Sequence, residues 1–172
     1  MKPLSRRTFL RNSAAVVAGT ALGSRAMTAV SAENTRGANE RINIALIGCG
    51  DRGNFVARGM IEKGASVTFL CDLQPDRLDK SWQFLSEVQK TKPRLVKDMR
   101  EVFGSKDVDA VVIATPDHWH APATILACQA GKDVYVEKPH SHSIWESRKM
   151  IEAARKYDRV VEVGTQTRSA PY

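Results

Sequence analysis

The feature that most restricts the fold of this chain is the hexapeptide Gly48-Cys49-Gly50-Asp51-Arg52-Gly53, set directly behind the apolar run Ile42–Ile47 and ahead of a helix-like stretch. Three glycines in six residues also occur in ordinary turns, so the string alone decides little. Its setting decides more. Between a strand and a helix, Gly48 can make the tight turn, Gly50 can let a phosphate group approach the backbone, and Gly53 can let the helix lie close against the strand. The unpaired N–H groups and the positive dipole end of such a helix favour an anion. Asp51 opposes that field only if it faces inward; turned outward and paired with Arg52, it need not touch the phosphate.

From Arg41 onward, short β-branched runs alternate with longer amphipathic stretches, the pattern of a parallel sheet covered by helices. Strands are predicted over Ile42–Ile47, Ser66–Cys71, Arg94–Val96, Ala110–Ala114, Asp133–Val136 and Val160–Val163. Helices are predicted over Asn54–Lys63, Pro75–Val88, Met99–Phe103, Ala121–Ala130 and Ser143–Tyr157, with Gly64, Gly104 and Gly131 where helices commonly end. The third strand is short and follows Lys92-Pro93, which makes it the weakest of the six. The fold class expected is α/β, a Rossmann-type doubly wound parallel sheet of about six strands. Residues 41–172 read as one dinucleotide-binding domain, a length that suits a single core.

The second strand ends at Asp72, 24 residues after Gly48 and 19 after Gly53, about where an acidic side chain receives ribose hydroxyls. A carboxylate there repels a 2′-phosphate and Leu73 offers no arginine to accept one, so NAD is favoured over NADP. The competing reading makes Asp72 a turn or cap residue before Pro75.

The net charge of +7 invites a nucleic-acid or membrane reading, but five of the 26 basic residues stand in the first 32 positions, where no acid occurs. The remainder carries 21 basic against 19 acidic residues, with no basic stripe of the kind a nucleic-acid-binding body keeps. Nucleic acid is therefore not an expected partner. Cys49, Cys71 and Cys128 are odd in number and form no CxxC pair, which excludes a disulfide framework and suits folding in a reducing compartment.

At the front, Ser5-Arg6-Arg7-Thr8-Phe9-Leu10 leads into the weakly apolar run from Ser13 to Gly23 and the small residues Val30-Ser31-Ala32. This resembles a twin-arginine export signal over residues 1–32, followed by a linker over 33–40. The resemblance implies the twin-arginine export machinery as a partner, passage in the folded state, and a periplasmic or otherwise extracytoplasmic destination. A membrane anchor fits less well, because Arg25 interrupts a span that needs about 20 apolar residues.

The fourth and fifth strands carry Val111-Val112-Ile113-Ala114-Thr115-Pro116-Asp117-His118-Trp119-His120 and then Gly131-Lys132-Asp133-Val134-Tyr135-Val136-Glu137-Lys138-Pro139. These segments resemble the Gfo/Idh/MocA oxidoreductases, named for glucose-fructose oxidoreductase, inositol dehydrogenase and a rhizopine-catabolism protein. The likeness runs over roughly residues 41–170, the N-terminal domain of that family, and includes Gly164-Thr165-Gln166 through Ser169. It implies Lys138 as the catalytic residue, handling the proton of a substrate hydroxyl as hydride passes to NAD. It also implies a cis Lys138-Pro139 bond. Together with the loop residues Gly48, Gly50, Asp51, Arg52 and Gly53 and with Asp72, it places Thr115, Pro116, His120, Glu137 and Gln166 at the cofactor.

All four histidines fall between positions 118 and 142. Two His-x-His pairs beside Asp117 raise zinc as an alternative, but they stand on two different strand ends that the family sets near the nicotinamide, so no metal is expected. Trp119 and Trp145 read as packing or pocket-wall residues. Family members continue into a second domain that forms the substrate cleft; the sequence stops at Tyr172 and is expected to be a fragment, homo-oligomeric if at all only at full length. Three functions stay open: a dehydrogenase acting on a sugar, cyclitol or related polyol; a glycosidase working by transient oxidation, whose relatives carry Val at the position of Lys138; and a non-catalytic NAD-binding module.

Overall fold

The computed structural model describes residues 41–169, so the signal-like segment 1–32 and the linker 33–40 lie outside the described residues. Strand β1 covers Asn43–Ile47, β2 Ser66–Cys71, β3 Arg94–Val96, β4 Ala110–Ile113, β5 Asp133–Val136 and β6 Val161–Val163. They form one six-stranded parallel sheet in the order β3-β2-β1-β4-β5-β6. Helices α1 (Asp51–Glu62) and α2 (Pro75–Leu85) connect the strands that run outward on one side of β1; α3 (Met99–Gly104), α4 (His120–Gln129) and α5 (Ile144–Lys156) serve the other half.

The sequence dictates this arrangement through strands buried on both faces. In β1, Ala45 and Ile47 face one core and Ile44 and Leu46 the other. The first core is closed by Val102 and Phe103 of α3, Ala123 and Ala127 of α4, and Met150 of α5. The second is closed by Ala57 of α1 and by Leu78 and Leu85 of α2. Helices fall on opposite faces because right-handed crossovers that step one way from β1 and then the other way from β4 leave their helices on opposite sides. The carboxyl ends of β1 and β4 therefore flank the point where the strand order reverses, and there the loops diverge to leave a crevice.

Two predicted boundaries move. Helix α1 begins at Asp51, not Asn54, because Gly50 takes an extended N-cap conformation (φ −80°, ψ 177°) and its carbonyl already accepts Asn54 N–H at 3.0 Å. Helix α2 ends at Leu85, not Val88: a turn follows in which Gln89 N–H returns to Leu85 O, and the buried Gln89 amide pairs with both backbone groups of Val67. Other ends agree within one residue, and the short β3 pairs with β2 through three residues. Among the described residues no helix is long and apolar enough to cross a membrane.

Candidate cofactor and catalytic site

The hexapeptide forms the β1–α1 turn, and its three glycines are required for different reasons. Gly48 has φ +94°, and a Cβ there would lie 2.6 Å from Ala114 O and 2.8 Å from Thr115 N, backbone that cannot yield. A Cβ on Gly53 would strike Gly48 O and sit 3.0 Å from Leu46 Cδ1 and 3.2 Å from Ala114 Cβ, so helix and strand close only over a hydrogen. Gly50 is different. Its φ is ordinary, and an added Cβ would meet nothing nearer than Arg77 Nη1 at 3.6 Å. Among the described residues no side chain caps this helix N-terminus.

Asp72 holds the turn from the β2 side. Its Oδ2 accepts Cys49 N–H at 2.9 Å and its Oδ1 accepts Gln74 N–H at 2.9 Å, the latter closing the turn before Pro75. The turn role and the ribose role are thus compatible: an ionised carboxylate has about four acceptor positions, and two are used. The buried Cys49 Sγ lies 3.7 Å from Cys71 O, and burial pushes both thiols up from 9.0 to about 12.

Asp51 and Arg52 do not pair. Asp51 is exposed in the first turn of α1, whereas Arg52 Nε donates to Glu137 Oε1 at 2.7 Å across the crevice. The partnership was not legible from neighbours in sequence, since 85 positions separate the two residues. Glu137 is buried, at 4% exposure, and gathers further donors: Tyr135 Oη at 3.2 Å and Gln166 Nε2 at 3.2 Å on Oε1, and Lys138 N–H at 3.2 Å on Oε2. Gln166 also donates to Tyr135 Oη at 3.0 Å, and burial pushes the Tyr135 phenol up. Sequence reasoning missed Tyr135, although its signal was present: two positions before Glu137, it points to the same side of an extended chain.

On the other flank of Lys138, the His120 ring is 2% exposed and has both nitrogens on carbonyls, Nδ1 2.6 Å from Pro139 O and Nε2 2.8 Å from Thr115 O. His120 therefore staples the Thr115-Pro116 turn after β4 to the Lys138-Pro139 segment after β5. Whatever it contributes at the cofactor, it contributes by fixing those two loops. The Lys138-Pro139 bond is cis, as the family resemblance implied. Lys138 itself is exposed, and among the described residues its ammonium makes no hydrogen bond. In the turn after β4, the Thr115 hydroxyl is buried without a partner among the described residues.

The remaining histidines separate. His142 Nδ1 lies 3.3 Å from Asp117 Oδ2, and this hydrogen bond holds the Asp117 carboxyl below its usual range, while His140 Nε2 lies 2.9 Å from Ser147 Oγ. Among the described residues no group of three or more His, Cys, Asp and Glu side chains is arranged to hold a metal ion. Trp119 and Trp145 are both exposed.

An uncapped helix N-terminus, a glycine whose missing side chain the protein itself does not demand, and an orphaned hydroxyl at the switch point define a dinucleotide-binding α/β domain, and a dinucleotide fits them. The chain belongs to the Gfo/Idh/MocA family: the model of that oxidoreductase family, described by its NAD-binding Rossmann fold, matches residues 42–165. A glycosyl hydrolase family 109 protein of Shewanella sp. (strain ANA-3) is 31% identical over 176 residues, covering 92% of this chain and 39% of that protein. An alpha-N-acetylgalactosaminidase of Shewanella oneidensis is 27% identical, over 91% of this chain and 38% of its own length. Among solved structures, a dehydrogenase from Chromobacterium violaceum in complex with NADH and UDP-GlcNAcA matches with TM-score 0.65 and 27% identity, over 74% of this chain and 36% of that one. A scyllo-inositol dehydrogenase from Lactobacillus casei, solved with NAD(H) and scyllo-inositol, matches in fold with TM-score 0.67 at 23% identity, over 76% of this chain and 38% of that one. This chain spans under two fifths of the length of each of these proteins.

Proposed function

We propose that this domain is the cofactor-binding part of an NAD-dependent oxidoreductase that moves hydride between nicotinamide and a sugar, cyclitol or related polyol. The observation that carries the reading is the setting of Lys138: an ammonium at the carboxyl end of β5, unpaired among the described residues, with the preceding residue held by Arg52 and the carbonyl of the following one in contact with His120. Gly48, Gly50 and Gly53 with the α1 N-terminus would hold the diphosphate, Asp72 the adenosine ribose, and Thr115, Pro116 and the Glu137–Gln166 cluster would shape the nicotinamide end. When bound, nicotinamide supplies the hydride acceptor or donor. Lys138 orients the substrate hydroxyl and takes up or returns its proton at Nζ. NAD titration of this chain followed by a sugar and polyol panel on the full-length protein tests the reading: Lys138→Met is expected to keep NAD affinity within about twofold and to lower NADH formation by at least ~10²-fold, the span of general acid-base catalysis. Equal turnover in the variant removes Lys138 from the mechanism.

A second reading follows from the curated relatives, which include glycosyl hydrolase family 109 proteins. Glycosidase action by transient oxidation predicts glycoside cleavage without net NADH, and Lys138 in place of the Val of that group speaks for the dehydrogenase. Binding without either activity would mark a non-catalytic module. We further propose twin-arginine export to the periplasm, on the strength of Ser5-Arg6-Arg7-x-Phe9-Leu10; an Arg6→Lys, Arg7→Lys double variant should stay in the cytosol.

A further inference from the structure

Two links join the turn after β4 to the segment after β5, at different depths. His120 makes the inner one, its buried ring lying between Thr115 O and Pro139 O. The outer one pairs Asp117 Oδ2 with His142 Nδ1 at 3.3 Å, on side chains 41% and 66% exposed. The inner link already ties these loops, and an ion pair this exposed adds little to the stability of the fold. Lys138 adjoins the inner link directly, as the residue before Pro139, and His142 follows it by four residues.

The outer pair has a defined polarity. The hydrogen bond from His142 holds the Asp117 carboxyl below its usual range, and an ionised carboxylate can only accept. Nδ1 of His142 therefore carries the hydrogen, which leaves Nε2 of the neutral ring as a lone-pair base. Among the described residues Nε2 has no partner. The other groups that surround the pair hold it in place. Asp117 Oδ1 accepts His118 N–H at 2.9 Å, with His118 Nδ1 3.8 Å away, and from the first turn of α5 Glu146 Oε2 accepts His142 N–H at 2.7 Å. His140, on the same connection, turns instead to Ser147 Oγ at 2.9 Å. An imidazole anchored at Nδ1 by a carboxylate, fixed through its backbone and open at Nε2 is a base together with its orienter. Lys138 needs such a neighbour: an ammonium has three donors and no lone pair, so it accepts a proton only after it has shed one.

We propose that His142 is the proton outlet of this site, its Nε2 receiving the proton that Lys138 Nζ sheds and passing it to water, with Asp117 as the positioning residue that steadies the imidazolium. This rests on the oxidoreductase reading above and deepens it. The balance is that of an alcohol oxidation: the C–H bonding pair leaves as hydride for NAD, the C–O bond becomes C=O, and the hydroxyl proton moves to Nζ, then to Nε2, then to water. Reduction runs the same path backwards. Lys138 meets the substrate, whereas His142 acts only through Lys138.

The tautomer is testable without substrate or cofactor, by nitrogen NMR of this chain carrying nitrogen-15-labelled histidine at a pH above the usual histidine range. Expected is a ring protonated on Nδ1 and bare on Nε2, assigned by its disappearance in His142→Ala, with that preference lost in Asp117→Asn. A His142 ring protonated on Nε2 overturns the proposal. Turnover is read on the full-length protein with NAD and a sugar and polyol panel that includes D-glucose and scyllo-inositol. His142→Ala should lower kcat by about tenfold or more with KM within about twofold, and added imidazole should restore turnover in it but not in Lys138→Met. His140→Ala, which loosens the same connection, should keep kcat within about twofold. A loss in His142→Ala that imidazole does not relieve, or an equal loss in His140→Ala, makes the pair a mere loop fastener and overturns the proposal. A wild type that oxidises no member of the panel overturns the functional reading, and the proposal with it; an active wild type matched by His142→Ala overturns the proposal alone.

Discussion

Methyl groups added at Gly50 and Gly53 should separate the needs of the fold from the needs of the ligand. At Gly53 the new Cβ meets the Gly48 carbonyl, Leu46 Cδ1 at 3.0 Å and Ala114 Cβ at 3.2 Å. Overpacking against backbone belongs at the upper end of the ~1–3 kcal/mol range, and the helix propensity gained from Gly to Ala returns about 1 kcal/mol, so the net loss is about 2 kcal/mol. For a domain of roughly 130 residues, with an unfolding entropy near 2.1 cal/mol/K per residue, that lowers Tm by about 7 °C. At Gly50 the Cβ enters open space 3.6 Å from the tip of Arg77, and the only cost to the fold is the poorer N-cap, about 0.5–1 kcal/mol or roughly 2–4 °C. On the proposed NAD-binding reading the ligand sees the reverse, because the diphosphate would approach the helix N–H groups through that space: Gly50→Ala should weaken NAD binding tenfold or more. Melting curves and NAD titrations of the two variants suffice. Gly50→Ala binding NAD within twofold of wild type, or melting as early as Gly53→Ala, would refute the division of labour among the glycines.

His120→Ala strips a buried ring and removes the contact it makes between the carbonyls of Thr115 and Pro139, a loss of about 3 kcal/mol or more that a thermal melt should register as a Tm drop of ~10 °C. Asp72→Ala should weaken NAD more than NADP, since it removes the charge that repels a 2′-phosphate; equal losses would leave Asp72 only its backbone-anchoring role. Burial raises the Cys49 and Cys71 thiols from 9.0 to about 12, so the native state keeps protons that the unfolded chain releases. Their contribution is intact below pH 9 and falls as pH rises toward 12, by up to ~1.4 kcal/mol per thiol per pH unit, in urea unfolding followed across pH 8–11. A thiol-specific reagent at pH 8 should likewise label the native chain slowly and the denatured chain at once.

What the sequence made legible was local. Glycine spacing behind an apolar strand located the turn, doubly apolar strands required helices on both faces, and Asp72 stood where β2 had to end. The loop-to-helix boundary was harder: Asp51-Arg52-Gly53 has the composition of a loop, and only the extended Gly50 shows that the helix has already begun. The partner choices around Lys138 were out of reach for a different reason. Arg52 finds Glu137, and His120 finds Thr115 O and Pro139 O, through a strand order in which β4 returns beside β1 and β5 lies beyond it. Side-chain periodicity carries no information about which loops that order brings together.

The same topology explains why the candidate site divides into a hydrogen-bonded frame and exposed cations beside it. The polar groups that fix loops at the carboxyl edge are engaged: buried Glu137 by four donors, buried His120 between two carbonyls, and half-buried Asp72 on two backbone N–H groups. Two exposed charges lie beside this frame, the terminal nitrogens of Arg52 and the ammonium of Lys138, both rooted in Glu137, one through its side-chain bond and the other as the next residue in the chain, while Arg77 Nη1 lies near Gly50. A frame whose hydrogen bonds are satisfied before ligand arrives has little reorganisation to make when hydride moves, which is the condition under which fixed charges contribute most to catalysis. Glu137 thus ties the glycine-rich β1–α1 turn to Lys138, the two ends of the proposed site.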